Sequence, residues 1–255
     1  MNINTSSFMQ SFTQVSQTHP LWFHPFLERC RSGDLTLSEV RILAIQMYKF
    51  SKQFNRILSS IVCSCVDDDA QWVILDNLFD EMGRGDKSQA HPELFRQFTR
   101  AIGINDDELE RYVTYPETQH LIDTYLSLSQ EYGYLSALGA VCFASEGIVS
   151  SLYTQLYHGI QGAATLTPES LIFFTVHLDV DDGHAAKLSA LLQSRLQNQS
   201  QAIDIHRAIL EAMDARVQFF DGIQRQFAIG SQSVSSTNRS TNHSINHSLE
   251  ELQLR

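Results

Sequence analysis

The stretch FFTVHLDVDDGHAAKLSALL, Phe173 to Leu192, has the apolar spacing of a helix, and it follows Thr167-Pro168, the pairing of an N-cap with a first-turn proline. At about 100° per residue, with His177 at zero, Asp181 falls at about 40° and His184 at about −20°. Phe173, Phe174, Val180, Leu188, Leu191 and Leu192 occupy the same side, whereas Asp179 and Asp182 point away. The apolar face that should meet the core therefore carries a carboxylate and two imidazoles. Burying them is costly without compensation. Hydrogen-bonded core histidines would supply some; a divalent cation would supply it more completely. This segment alone leaves both readings open.

Outward from that helix, the chain is helical throughout, and no run of alternating apolar and polar residues suggests a strand. Thr36 stands three residues before Glu39 as a capping box, opening an apolar stripe that runs on to about residue 62. Pro116 opens another helix, and further helices are expected at about 8–17, 21–31, 67–80, 92–102, 132–160 and 199–227. No linker or repeat divides residues 1–228, which predicts one all-α domain. Residues 229–255 are rich in Ser and Asn and poor in large apolar groups, which predicts a disordered tail.

Composition narrows the partners. With 18 Lys and Arg against 29 Asp and Glu the formal charge is −11, which disfavours nucleic acid or an anionic membrane and points to a small-molecule substrate. The N-terminus lacks a basic region followed by an apolar one, and no run is read as long enough to cross a bilayer, so a cytoplasmic address is expected. Cys30, Cys63, Cys65 and Cys142 lack CxxC spacing and are expected to be reduced, buried thiols.

Two further segments carry ionisable groups on apolar patterns. In GYLSALGAVCFASEGIVSSLYTQLYHGI, almost free of charge, Glu146 shares an α-helical face with Cys142, Phe143, Val149, Tyr153 and Tyr157. In LDNLFDEMGRGDKSQAHPELFRQF, Glu81 ends an apolar pattern, Gly83 and Gly85 loosen the backbone, and His91 starts the next helix. A solvated surface turn also fits this last segment. Together the three segments hold two Glu, one Asp and three His, the inventory of a carboxylate-bridged two-metal site, with iron or manganese favoured over structural zinc. A ferritin-like bundle is disfavoured, because its paired ExxH motifs reduce here to Glu117 and His120, with Glu117 in a helix first turn.

The segments DEMGRGDKSQAHPELF, ALGAVCFASEG and HLDVDDGH, the last with HxxxDxxH spacing, resemble the haem-oxygenase-like dimetal oxidases over roughly residues 20–225. That group takes in proteins similar to the chlamydial death-domain-associating protein, with relatives making p-aminobenzoate, terminal alkenes or modified amino acids; pyrroloquinoline-quinone synthase and TenA-like proteins share the scaffold. The resemblance implies a compact bundle of seven or eight helices, often dimeric. It implies Glu81, His91, Glu146, His177, Asp181 and His184 as ligands of two iron ions, dioxygen as co-substrate, and a reductase as a candidate electron donor. Helical phase adds Tyr153 as a candidate catalytic residue, with Tyr48, Phe143, Tyr157 and Phe174 as the substrate pocket. Ser145 and Phe173 stand where the p-aminobenzoate synthases are expected to carry tyrosines, which disfavours a self-sacrificing reaction. A cofactorless oxidase or hydrolase on the same scaffold, a p-aminobenzoate-synthase-like protein and a non-enzymatic helical interaction protein are the competing readings.

Overall fold

A computed structural model describes residues 4–179 and 183–252, with side chains through Phe227 apart from Asp179. Among the described residues thirteen α-helical segments are present, α1 Thr5–Thr18, α2 Pro25–Ser32, α3 Leu37–Ser51, α4 Phe54–Ser64, α5 Asp68–Glu81, α6 His91–Ala101 and α7 Asp106–Arg111 in the first half. The second half holds α8 Pro116–Glu131, α9 Tyr134–Val141, α10 Gly147–Ala163, α11 Ile172–Asp179, α12 Gly183–Arg195 and α13 Gln199–Leu252. Joining segments that continue one another leaves about ten helices, more than the seven or eight expected. No strand occurs among the described residues, in agreement with the sequence.

Local chemistry sets the starts. Thr36 and Glu39 form the reciprocal capping box at α3, each satisfying a backbone N–H that the first turn leaves unpaired. Asp67 caps α5 by accepting the Ala70 N–H at 2.9 Å. Thr167 takes the cap position before Pro168, but there a short 3-10 turn, Pro168–Leu171, precedes α11, and the threonine side chain makes no capping bond. The stripe expected to run from residue 36 to 62 breaks at Lys52 and Gln53 into α3 and α4.

The segments α9 and α10 continue through a π turn, Cys142–Glu146, as one helix from Tyr134 to Ala163. Contrary to the sequence reading, these 30 residues, with a mean hydropathy of 1.5 in their most apolar window, are long and apolar enough to span a bilayer. They are instead the core helix, with 61% of that window buried inside the molecule. Around it α13 packs along α8 and α9, α2 lies on α10, and α3 and α4 reach α6 and α5. Leu21, Phe26, Phe95, Leu121, Leu152, Phe174, Ile209 and Phe220 are fully or almost fully buried between these layers. Cys30, Cys65 and Cys142 are buried free thiols as expected, whereas Cys63 is exposed. The helix α13 continues through Leu252, so the segment 229–255, expected to be a disordered tail, lies outside the residues with described side chains.

Candidate metal centre

Glu81 and His91 come together because the chain reverses between them. Gly83, Arg84 and Gly85 all have positive φ, at 79°, 50° and 94°. At Gly83 a Cβ would lie 2.2 Å from the Asp86 carbonyl oxygen, so position 83 accepts only glycine. The reversal sets the last residue of α5 against the first of α6, with His91 Nδ1 2.8 Å from Glu81 Oε2. From α11, His177 completes a group whose three ligand atoms all lie within 4.8 Å of one another.

Each neighbouring contact aims a donor. The His177 Nδ1–H donates to the Phe173 carbonyl at 2.6 Å, which fixes the tautomer and leaves Nε2 with a free lone pair. His184 Nε2 lies 2.8 Å from Asp80 Oδ2, leaving its Nδ1 for a ligand, and Arg84 pairs with the same Asp80. Asn77 donates to Glu146 Oε1 at 2.9 Å, while its own buried Oδ1 has no hydrogen-bond partner.

Burial pushes the Glu81 carboxyl up, but the His91 charge and hydrogen bond outweigh it and hold Glu81 below its ordinary value. His91 is raised in turn, Glu81 overcoming the effect of burial. Glu146, buried and beside an ionised Glu81, is pushed up to about 7. Burial and the neighbouring His91 lower His177 to about 4, so at neutral pH it is the uncharged imidazole that can ligate a cation.

A cavity of about 540 Å³ opens onto this group, lined by Asp80, Arg84, Gln89, Val176, His184 and Ala185 besides the central donors. Adjoining it is a smaller, inner pocket of about 40 Å³ with Phe50, Phe54, Ser145, Tyr153 and Phe173 in its wall. Glu81, His91, Glu146, Val149 and His177 line both, so the donors form a partition between an open chamber and an aromatic one. Carboxylate and imidazole donors without thiolate suit iron. Cys142 does not join them: burial pushes its thiol up, and its Sγ lies 3.5 Å from the Ala185 carbonyl.

Five of the six expected ligands thus line one cavity, and Asp181 lies outside the described residues. The expected pocket residues divide differently. Tyr153 lines the inner pocket, its ring 5.1 Å from that of His177. Phe174 packs behind, against Phe98 and Tyr153, and it is Phe173 that reaches the pocket. Tyr157, one turn beyond Tyr153, meets Phe174 and lines neither cavity. Tyr48 also lines neither: its hydroxyl donates to Glu110 and accepts from Arg96. Phe143 turns to Phe12 because the π turn inserts a residue and rotates it out of phase with Glu146. Asp80 and Asn77 were not anticipated; their spacing from Glu81, one and four residues back, was the available signal.

Residues 41–217 match the model of a family described as iron-containing redox enzymes. The chain belongs to that family. It is 27% identical over 233 residues to a 4-aminobenzoate synthase of Nitrosomonas europaea, covering 88% of this chain and 93% of that one. It is 24% identical over 207 residues to a 4-chloro-allylglycine synthase of Streptantibioticus cattleyicolor, covering 81% and 79%. Among solved structures, a Shewanella denitrificans domain with a haem-oxygenase-like fold superposes with a TM-score of 0.75 at 17% identity, covering 90% and 95%. A CADD-like protein from Nostoc punctiforme gives 0.68 at 16% identity, covering 87% and 97%. The fold of this iron-containing redox enzyme is therefore haem-oxygenase-like, and Glu81, His91 and His177 form a group that could hold a metal ion.

Proposed function

We propose that the protein is a non-haem di-iron oxidase or oxygenase that uses dioxygen to oxidise a small organic molecule held in the outer cavity. Glu81, His91 and His177 would hold one ion; Glu146, Asp181 and His184 would serve the second. The observation that carries this reading is the convergence of Glu81, His91 and His177 within 4.8 Å on the wall between two cavities.

Iron, when bound, supplies the electrons for dioxygen activation. The chain's own groups do the rest. Phe50, Phe54 and Phe173 keep water from the inner pocket. Tyr153, whose hydroxyl burial pushes above its ordinary range, stays protonated at neutral pH and can donate a hydrogen bond there. Asp80, Arg84 and Gln89 on the outer side suit a polar substrate of the amino-acid class better than a long acyl chain. A second reading, formation of 4-aminobenzoate, draws on the relative named for that product and on Tyr153, the tyrosine that lines the inner pocket.

The test is anaerobic titration of metal-free protein with ferrous iron, followed by a pulse of oxygen. Two ions per chain and oxygen-dependent oxidation of the bound iron are expected. Absence of stoichiometric binding would refute the proposal in favour of cofactorless chemistry, and 4-aminobenzoate among the products would select the second reading.

A further inference from the structure

The helix α13 lines neither cavity among the described residues, yet it sends one charged side chain under the centre. Arg216 is 6% exposed. Its Nη2 lies 3.3 Å from the carbonyl oxygen of Ala144 and 3.4 Å from the Tyr125 hydroxyl. The Tyr125 hydroxyl donates to that same carbonyl at 2.8 Å. The guanidinium also stands 5.1 Å from the centre of the Phe50 ring, which walls the inner pocket. No ion pair to Arg216 occurs among the described residues, and its buried Nε has no hydrogen-bond partner. A buried guanidinium without a carboxylate is a costly arrangement that needs a compensating role.

Ala144 lies inside the π turn, two residues before Glu146. A π turn is a poorer hydrogen-bonding arrangement than the α-helix on either side, and such turns mark functional sites. This one closes from the Gly147 N–H to the Cys142 carbonyl, so tightly that a Cβ at Gly147 would lie 2.7 Å from that oxygen. Relaxation to α geometry would turn Glu146 by up to one residue's rotation, roughly 100°, away from Asn77 and the shared wall. Two donors on one carbonyl at the middle of the turn oppose that relaxation.

We infer that Arg216 and Tyr125 are positioning residues that clamp the Ala144 carbonyl, hold the π turn, and so keep Glu146 aimed at the metal centre. The inference rests on the reading of Glu146 as a ligand of the second ion. It makes α13, whose described residues line neither of these two cavities, a determinant of how many ions bind.

Anaerobic cobalt(II) titration of the full chain tests it, with visible absorption read for each ion bound and Glu146→Gln as the benchmark. Wild type should bind two ions and Glu146→Gln one. Arg216→Gln should weaken the second ion by about 10- to 100-fold, the usual effect of removing a supporting contact, and leave the first unchanged. Arg216→Lys should restore most of that loss, and Tyr125→Phe should give a smaller one. Wild-type affinity for both ions in Arg216→Gln would overturn the inference. If Glu146→Gln also bound two ions normally, Glu146 would not be a ligand and the assignment on which the inference rests would fail, while the di-iron reading itself would stand. A crystal structure of Arg216→Gln separates the two: an intact π turn with Glu146 unmoved would refute the clamp whatever the metal content. Should Arg216→Gln not fold, the same titration and structure of Tyr125→Phe decide the matter.

Discussion

Phe173 is the aromatic on which the centre leans. It is 2% exposed, with ring centroids 4.6 Å from Phe95, 4.7 Å from His177, 5.3 Å from Phe174 and 5.7 Å from Tyr153. Phe173→Ala removes roughly 100 Å³ of side chain, and at about 24 cal/mol per Å³ of unfilled cavity this costs about 2.4 kcal/mol. The lost transfer free energy adds about 2 kcal/mol. The total, about 4 to 5 kcal/mol, should lower Tm by roughly 8–20 °C for a chain of this length. Phe23→Ala is the control, since Phe23 is 78% exposed and should shift Tm by no more than about 2 °C. Thermal unfolding followed by circular dichroism reads both variants. The hydrogen bond from His177 runs to the backbone carbonyl of residue 173 and survives the substitution. Ferrous binding should therefore weaken in Phe173→Ala, whereas His177→Ala should abolish it at the first site. A Tm for Phe173→Ala equal to that of Phe23→Ala would show that this wall is not packed as described.

Gly147→Ala places a methyl group 2.7 Å from the Cys142 carbonyl oxygen; a cost of about 1–3 kcal/mol is expected, and an unchanged Tm would count against the π turn. Chelation of the iron-loaded protein should lower Tm, because free iron at 100 times its Kd stabilises by about 2.7 kcal/mol; identical melting with and without chelator would show that no specific site exists. The Arg195 hydrogen bonds, with the Ala70 N–H, hold Asp67 down at about 2. A folded value below the unfolded one, about 3.9, means the stabilisation is complete above that unfolded value and is lost as pH falls through about 2. Asp67→Asn keeps a competent helix cap, so its Tm deficit at pH 6 should shrink below pH 4 and close near about pH 2; a deficit independent of pH would refute the ionic explanation.

The all-helical class, the helix starts at Thr36 and Pro116 and the gathering of Glu81, His91, Glu146, His177 and His184 around one cavity were legible, because ionisable groups on apolar patterns need partners wherever the helices pack. Packing partners were less so. Tyr48 carries a hydroxyl that Arg96 and Glu110, far along the chain, draw away from the cavities. The α-helical periodicity that puts Phe143 beside Glu146 is interrupted by the π turn. Arg216 gave no signal, since one arginine on an amphipathic helix reads as a solvated charge until Ala144 and Tyr125 are seen beside it.

The displacement of Phe143 has its origin in where the donors sit. Glu81 is the last residue of α5 and His91 the first of α6; Glu146 ends the π turn, and His184 is the second residue of α12. An uninterrupted helix fixes side chains on ridges that interlock with the next helix, leaving little freedom to draw groups from several segments onto one point. Ends and π turns relax that constraint, and each then needs its own device: glycine at 83 and 147, the Asp80 contact for His184, the Asn77 contact for Glu146. Such irregular positions are where local rules fail and function concentrates. A helical wheel assumes unbroken rotation, so it finds residues in a regular stretch, such as Phe173 with His177, and misplaces those across a break, such as Phe143 with Glu146. The site is therefore readable from residue chemistry and unreadable from phase alone, because the departures from phase are what assemble it.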